Sequence, residues 1–321
     1  MTVFVHSWFR SGSTWYWAKF RNDSRFRAYY EPLNEELPLW TPERLETAPA
    51  RAFDGDNHPS LSKHYFYEYR DLIASGRLQF DKGISYERYF LGPKDQDRAL
   101  KTYLSGLISH AKTTGQRPAL CFCRSQLRAL WMKANLAGLH IAQVRNPWDQ
   151  WVSFGKHPYF KNRTLLTAYC IEKRSPGCFS HVSGLDQLFQ AWNEKKQATL
   201  SDMDCFATYI TIWIASTAQA LVASDIVVDI DLLGADKSLR LEVEDALRLN
   251  DLPFDLSDCK PPRTDGRAAT TSESGKVMSD AIFALRGAGA SMMSVVDRNE
   301  LLAKLRFTSA QSTDVLREWL V

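Results

Sequence analysis

A turn built from residue types that bind phosphate lies near the start of the chain. Residues 10–14 read Arg-Ser-Gly-Ser-Thr, and they follow an apolar run at 2–8 that is typical of a short strand. Glycine lets a backbone approach an anion closely, the amides of a helix N-terminus and nearby hydroxyls donate to it, and arginine adds a forked cation. The turn therefore predicts an anion site. The alternative is a plain strand–helix turn capped by a serine.

The turn differs from the loop that binds nucleoside triphosphates. That loop reads G-x-x-x-x-G-K-[ST], whereas here Ser7 replaces the first glycine and Ser13 replaces the lysine. Because that lysine reaches the β- and γ-phosphates, its replacement favours a ligand with a single 5′-phosphate.

A second basic motif follows another apolar run, at 140–144. Arg145 opens an Arg-Asn-Pro sequence at the end of the predicted strand, and Ser153 lies about two helical turns further on. Both side chains are expected to converge on one phosphate. The alternative is that Arg-Asn-Pro only begins a helix and that Ser153 lies on its surface.

The two motifs together carry a resemblance to a known family. Residues 10–15 after the first strand, and Arg145 with Ser153 after a central one, resemble the phosphate-binding motifs of the sulfotransferases that use 3′-phosphoadenosine 5′-phosphosulfate. The resemblance is strong over 1–33 and 118–155 and weak elsewhere. It implies a P-loop-like fold, transfer of a sulfuryl group, adenosine 3′,5′-bisphosphate as product and no required metal.

The resemblance also implies a role for each matched residue. Arg10 would contact the bridging and sulfuryl oxygens, and Trp15 would stack on adenine. Arg145 and Ser153 would hold the 3′-phosphate. The remaining residues of the turn would bind the 5′-phosphate through backbone amides and hydroxyls: Ser11, Gly12, Ser13 and Thr14.

Many members of the family close over the donor with a basic, glycine-bearing loop near the C-terminus. The nearest candidate here spans 263–276, and three of its residues are assigned to donor binding: Arg267, Gly275 and Lys276. The family's usual pattern is not recognisable in this segment.

Transfer to a hydroxyl or amine also needs a base that accepts the acceptor's proton. Glu31 is the first candidate, because it follows the second strand on the same sheet edge as Arg10 and resembles a glutamate of carbohydrate- and tyrosine-sulfating members. The alternative is that Glu31 pairs with a nearby arginine or caps a turn. His64 is the second candidate for the base. Arg124, at the end of another strand, contacts donor or acceptor, or caps the next helix.

The elements that position these residues alternate along the chain. Strands are predicted at 2–8, 28–30, 119–123, 140–144 and 226–230, and helices near 14–21, 97–113, 125–136, from 147 onward, over 184–222 and near 238–248. This alternation predicts an α/β fold, a central parallel sheet with helices on both faces, in one domain. Ligands of such sheets lie at the carboxyl ends of the strands, where both motifs occur.

Four segments are interpreted differently. Residues 33–82 are predicted to be an irregular insertion that faces substrate, residues 255–280 a loop, and the chain from about 278 to 321 helical. The segment 205–224 has no charged residue and the length of a membrane span, but its threonines and serines favour a buried core helix.

Composition limits the class of protein. The 321 residues are 45% apolar and 24% charged, and a net charge of +3 is too small for a general nucleic-acid binder. The six cysteines include Cys121 and Cys123 on one face of a strand, without a second pair to complete a zinc site, so free buried thiols are expected. No signal peptide is recognised, and a cytoplasmic location is expected. The acceptor and the oligomeric state stay open, although abundant aromatic residues favour a carbohydrate acceptor.

Two other functions are compatible with parts of the sequence. Residues 226–229, Ile-Val-Val-Asp, are similar to the strand that carries a magnesium-binding aspartate in P-loop kinases. A binding protein that keeps the fold without catalysis is the other alternative. Magnesium separates the kinase from the sulfotransferase, because phosphoryl transfer from ATP requires it.

Overall fold

A parallel sheet forms the centre of the molecule. The computed structural model of the protein describes residues 1–48, 61–155, 158–194, 199–260, 272–287 and 290–321. Within these ranges the strands are β1 (Val3–His6), β2 (Phe26–Tyr30), β3 (Arg117–Phe122), β4 (Leu139–Val144) and β5 (Ile226–Asp229). Every predicted strand is confirmed, with its ends displaced by one or two residues.

The strand order is β2-β3-β1-β4-β5, and every neighbouring pair is parallel. From β1 the chain moves towards β2 on one side, whereas from β4 it moves towards β5 on the other side. Connections that leave two adjacent strands in opposite directions open a crevice at their carboxyl ends. The topology therefore places such a crevice between β1 and β4.

Helices cover the sheet and form the C-terminal region. They are α1 (Ser13–Arg21), α2 (Pro42–Thr47), α3 (Arg70–Ala74), α4 (Arg98–Thr113), α5 (Ala129–Asn135), α6 (Pro147–Gly155), α7 (Pro158–Arg174), α8 (Leu185–Asn193), α9 (Asp202–Ala223), α10 (Ile230–Ala235), α11 (Lys237–Leu249), α12 (Ser272–Arg286), α13 (Ala290–Met293), α14 (Arg298–Lys304) and α15 (Ala310–Leu320).

Alternate residues of β1, β2 and β3 enter two apolar cores. Val3 and Val5 pack in one core with α1 and α9, whereas Phe4 packs in the other with α4 and α5. Because both faces of the sheet are buried, its strands are predominantly apolar, as expected for a parallel sheet between helices. The predicted α/β class is confirmed.

Helix α9 is the long uncharged segment of the sequence. It has the length and composition of a membrane span, but 94% of its most apolar 18-residue stretch is buried inside the protein. It packs against α5, α7, α12 and α14, so it forms the centre of the helical layer on its side of the sheet.

The two segments predicted as irregular or loop contain more structure than expected. Part of 33–82 forms α2 and α3, and its apolar side chains Leu37, Leu45 and Phe66 are buried in the second core. The prediction of a loop through residue 280 is wrong from residue 272 onward, because α12 begins there. Its Ala281, Ile282 and Leu285, spaced along one helical face, are buried against the first core.

All six cysteines are free, and all but Cys259 are buried. Cys121 and Cys123 lie in the same core, on one face of β3. Burial raises the pKa of the Cys123 thiol to about 12. The prediction of free, buried thiols is confirmed.

Candidate active site

The two basic motifs meet in the crevice between β1 and β4. Arg10 follows β1 and Arg145 follows β4, while Ser153 lies in α6. The Arg10 Nε donates a 2.8 Å hydrogen bond to the Ser153 Oγ, and the Arg145 Nη1 donates to the Arg10 carbonyl oxygen at 3.0 Å. Residues more than 130 positions apart in the sequence thus form one cluster, in which Arg10 contacts both Arg145 and Ser153.

This cluster is positively charged and poorly neutralised. Among the residues that the structure describes, Arg10 forms no ion pair, and the carboxylate paired with Arg145 is that of Asp231, 3.8 Å away. Asp231 also accepts a 2.7 Å hydrogen bond from the Asn146 amide. Burial, and the neighbouring Arg145 cation, lower the pKa of Arg10. Two adjacent cations with so little compensation favour binding of an anion.

The backbone of the turn has an unusual conformation. Arg10 has φ of 63° and Gly12 has φ of 80°, both in the left-handed region. A Cβ at Gly12 would lie 3.0 Å from the Ile230 Cδ1, so a glycine suits this position on both grounds. Gly12 caps α1 without a side-chain hydrogen bond. The first amides of a helix have no partner within it, so those of α1 are available to a ligand.

Ser11 holds the turn against its neighbours. Its carbonyl oxygen accepts from the Gln143 Nε2 at 3.1 Å, and its Oγ donates to the Trp8 carbonyl at 2.7 Å. Its side chain is buried, so Ser11 contributes to the turn through its backbone.

The hydroxyls of the turn belong to a small network. The Ser13 and Thr14 hydroxyls lie 2.9 and 2.8 Å from the Tyr30 hydroxyl, and the Cys123 Sγ lies 3.1 Å from the Ser13 Oγ. Tyr30 was not identified from the sequence, since an aromatic residue in an apolar strand resembles any other core residue. It fixes both hydroxyls next to the helix N-terminus.

Trp15 is half-buried beside the turn. The Lys19 ammonium lies 5.3 Å from the centre of its ring and forms a 2.7 Å ion pair with Asp258. The Sγ of the next residue, Cys259, donates to the Ile230 carbonyl oxygen at 3.2 Å. The chain at 258–259 therefore contacts α1 and the first residue of α10.

The predicted donor-closing segment is placed only in part. Arg267 lies outside the described residues. Gly275 and Lys276 lie within helix α12 rather than in a loop, so the loop prediction is wrong for these two. These residues are helical because α12 packs its apolar face on α9. The polar residues at the start of α12 do not show this apolar face in the sequence.

Glu31 lies at the same edge, directly after β2. Its backbone is left-handed, with φ of 45°, and its amide donates to the Cys121 carbonyl at 2.7 Å. Its Oε2 is paired with Arg124 and accepts from the Asn34 Nδ2 at 2.8 Å. The pairing with an arginine that the sequence left as an alternative for Glu31 is therefore present, and it does not by itself exclude a role as the base.

Arg124 belongs to a larger buried network. Its side chain is 1% exposed, and its Nη2 lies 2.9 Å from the Glu35 Oε2. The other Glu35 oxygen pairs with Arg163 at 2.8 Å. Burial alone would lower the pKa of Arg124, but the surrounding acidic groups raise it. Glu35 and Arg163 were missed in the sequence because no motif contains them.

His64 is held away from these groups. Its ring packs between Trp40 and Tyr65, and its Nδ1 accepts from the Phe66 amide at 3.2 Å. Burial lowers the pKa of His64 to about 4. No contact that the structure describes joins it to Arg10 or Glu31, and its packing is that of a core histidine.

Asp229, the residue similar to a magnesium-binding aspartate, caps a helix. Its Oδ1 accepts from the amides of Asp231 and Leu232, and its Oδ2 accepts from the Ser309 amide at 2.9 Å. Burial and the Asp231 carboxylate raise the pKa of Asp229. Both of its oxygens are engaged by the backbone, which does not favour the kinase interpretation.

Comparisons of the chain with protein-family models, with curated proteins and with solved structures found no match. The geometry of the site is therefore the basis for a proposal about function.

Proposed function

We propose that the protein transfers the sulfuryl group of 3′-phosphoadenosine 5′-phosphosulfate to a hydroxyl or amine. The observation that carries the proposal is the cluster of Arg10, Arg145 and Ser153 in the crevice between β1 and β4. Two cations from different strand ends, of which only Arg145 pairs with a carboxylate of the described residues, suit a ligand with anionic groups.

The structure of the turn supports a sulfuryl donor over a nucleoside triphosphate. Ser13 occupies the position of the lysine that a triphosphate loop requires, and its hydroxyl is bonded to Tyr30. The aspartate suited by sequence to hold magnesium accepts three backbone amides instead. A donor with a 5′-phosphosulfate and a 3′-phosphate, bound without a metal, fits these side chains better.

The proposed chemistry depends on position and charge. Sulfuryl transfer resembles phosphoryl transfer in needing alignment and charge stabilisation more than covalent participation. Arg10, half-buried beside the helix N-terminus, would stabilise charge that develops on the bridging oxygen. Glu31, at the neighbouring strand end, would accept the proton of the acceptor.

The working form of this proposal has a carbohydrate-like acceptor and a cytoplasmic location, and aromatic rings near the two arginines of the site favour that acceptor. Phe9 lies under Arg124, with 4.8 Å between ring centre and guanidinium, and Phe160 lies 5.3 Å from the Arg10 guanidinium. Aromatic rings beside charged groups suit a ligand with both apolar faces and hydroxyls.

Calorimetric titration tests the donor site directly. We expect adenosine 3′,5′-bisphosphate to bind without magnesium and ATP with magnesium to bind weakly. Tight ATP binding with no response to the bisphosphate would overturn the proposal. Transfer from labelled phosphosulfate then separates an enzyme from a binding protein of the same fold: bisphosphate binding without any transfer, to water or to acceptors, would identify the latter.

A further inference from the structure

Glu31 is held by one oxygen only. The Oε2 is bonded to Arg124 and to the Asn34 Nδ2, whereas the Oε1 accepts no hydrogen bond from any residue that the structure describes. The Glu31 backbone is equally constrained, because its amide donates to Cys121 and its carbonyl oxygen accepts from the Asn34 amide at 2.9 Å. The carboxylate therefore has one anchored oxygen and one available oxygen.

A left-handed conformation at Glu31 is unfavourable for a residue with a side chain. Such conformations are strained and persist where the surroundings impose them. Among the described residues that are not glycine, positive φ occurs at Arg10, Glu31 and Asp251. Two of these three are the residues assigned to charge stabilisation and proton removal, which indicates that the fold sustains strain to orient them.

Arg124 has more acidic partners than its own charge requires. It lies between the carboxylates of Glu31 and Glu35, and Arg163 pairs with the outer oxygen of Glu35. Two cations and two carboxylates therefore alternate in one row that is balanced in charge. Glu35 and Arg163 neutralise each other at one end of the row, and Arg124 and Glu31 form the pair at the carboxyl ends of β3 and β2.

We propose that Arg124 is the positioning residue for Glu31, binding its Oε2 so that the Oε1 receives the acceptor's proton. In this step the acceptor oxygen bonds to sulfur, and the bond from sulfur to the 5′-phosphate oxygen breaks. The electron pair stays on adenosine 3′,5′-bisphosphate, and the acceptor proton moves to the Oε1. Arg124 contacts neither substrate and acts through Glu31. The inference rests on the proposed sulfuryl transfer.

The test measures release of labelled sulfate from the donor, with water as acceptor, and transfer to p-nitrophenol and to p-nitrophenyl glycosides. Replacing Arg124 with glutamine is expected to lower kcat about 100-fold, since a displaced catalytic group costs about that factor. The Kd for adenosine 3′,5′-bisphosphate should change by less than about threefold, because Arg10 and Arg145, the cations proposed to bind this nucleotide, are unchanged. Arg124→Lys, which keeps the charge, should recover part of the rate.

The decisive measurement is the double variant. In the Glu31→Gln background, Arg124→Gln should lower the residual rate no further, because groups that act as a unit are not additive. Arg128 provides the control, since it is also fully buried but donates to backbone carbonyl oxygens, those of Ile84, Ser85 and Arg124, and pairs with neither Glu31 nor Glu35. Arg128→Gln should reduce stability comparably while changing kcat less than about threefold.

Each outcome decides between the claims. Multiplicative losses in the double variant, or an equal loss of kcat in the Arg128 control, would overturn the role of Arg124 while leaving the proposed function intact. If Arg124→Gln does not fold, Asn34→Ala removes the other donor to the Oε2 and must slow transfer only when Glu31 is present. A wild-type protein that neither binds the bisphosphate nor releases sulfate would overturn the proposed function itself.

Discussion

Arg145 offers a way to remove one proposed phosphate contact, together with the hydrogen bond that it donates to the turn at Arg10. Its Nη1 is bonded to the Arg10 carbonyl and its Nε lies 3.8 Å from Asp231, which leaves the Nη2 and a shared Nη1 for a ligand. One hydrogen bond from a charged donor contributes about 1.5–3 kcal/mol. The Arg145→Gln variant, which loses one such bond to the ligand, should therefore bind adenosine 3′,5′-bisphosphate about 10- to 140-fold more weakly.

Calorimetric titration with two ligands tests this assignment. Adenosine 5′-phosphosulfate lacks the 3′-phosphate, so its affinity should change far less in the Arg145 variant. Arg117→Gln is the control: the exposed fraction of the Arg117 side chain is 20%, against 19% for Arg145, but Arg117 begins β3 at the opposite edge of the sheet. Equal weakening for both ligands, or the same loss in the control, would refute the assignment to the 3′-phosphate.

Three further predictions concern stability, each measured by urea denaturation. Gly12→Ala and Gly76→Ala both place a side chain at positive φ, which costs about 1–2 kcal/mol of stability. At Gly12 the new Cβ would also lie 3.0 Å from the Ile230 Cδ1, whereas at Gly76 it would have no atom within 4 Å. Gly12→Ala should therefore lower the free energy of unfolding more than Gly76→Ala. Equal losses would contradict this. Because Arg10 has φ of 63°, Arg10→Gly should be more stable than Arg10→Ala by about 1 kcal/mol, and the reverse order would contradict the left-handed turn. Burial lowers the pKa of His6, and that of His140 to about 4, below the value near 6.5 of the unfolded chain. Between pH 6.5 and 4 the unfolded state therefore binds more protons than the folded state. As the pH drops through this window, the free energy of unfolding should fall by up to about 1.4 kcal/mol per pH unit for each histidine. A transition midpoint independent of pH there would contradict it.

Local patterns predicted the strands and the turn well. Each strand is a short apolar run, and because both faces of the sheet are buried, the runs contrast clearly with the polar segments between them. The meeting of Arg10 with Ser153 was also predictable, because parallel strands end at one edge of a sheet and both motifs follow strands.

The partners of Glu31 were not predictable in the same way. Glu35 and Arg163 come from a segment after β2 and from α7, and only the tertiary fold brings them to Arg124. The start of α12 was missed for a different reason. Its first residues, Ser272 to Ser274, are polar, and the apolar residues that pack against the first core begin only at Val277. Helix formation there depends on packing against α9 rather than on local preference.

The central position of α9 has a consequence for synthesis on the ribosome. This helix is covered on one side by α12 and α14, which lie about 50 to 100 residues later in the chain. At about 5–20 residues per second, the nascent chain exposes an uncharged helix for several seconds before its cover emerges. A chain that ends before residue 272 keeps this surface exposed, so truncation at the C-terminus should yield aggregates or chaperone-bound chains rather than a smaller folded protein.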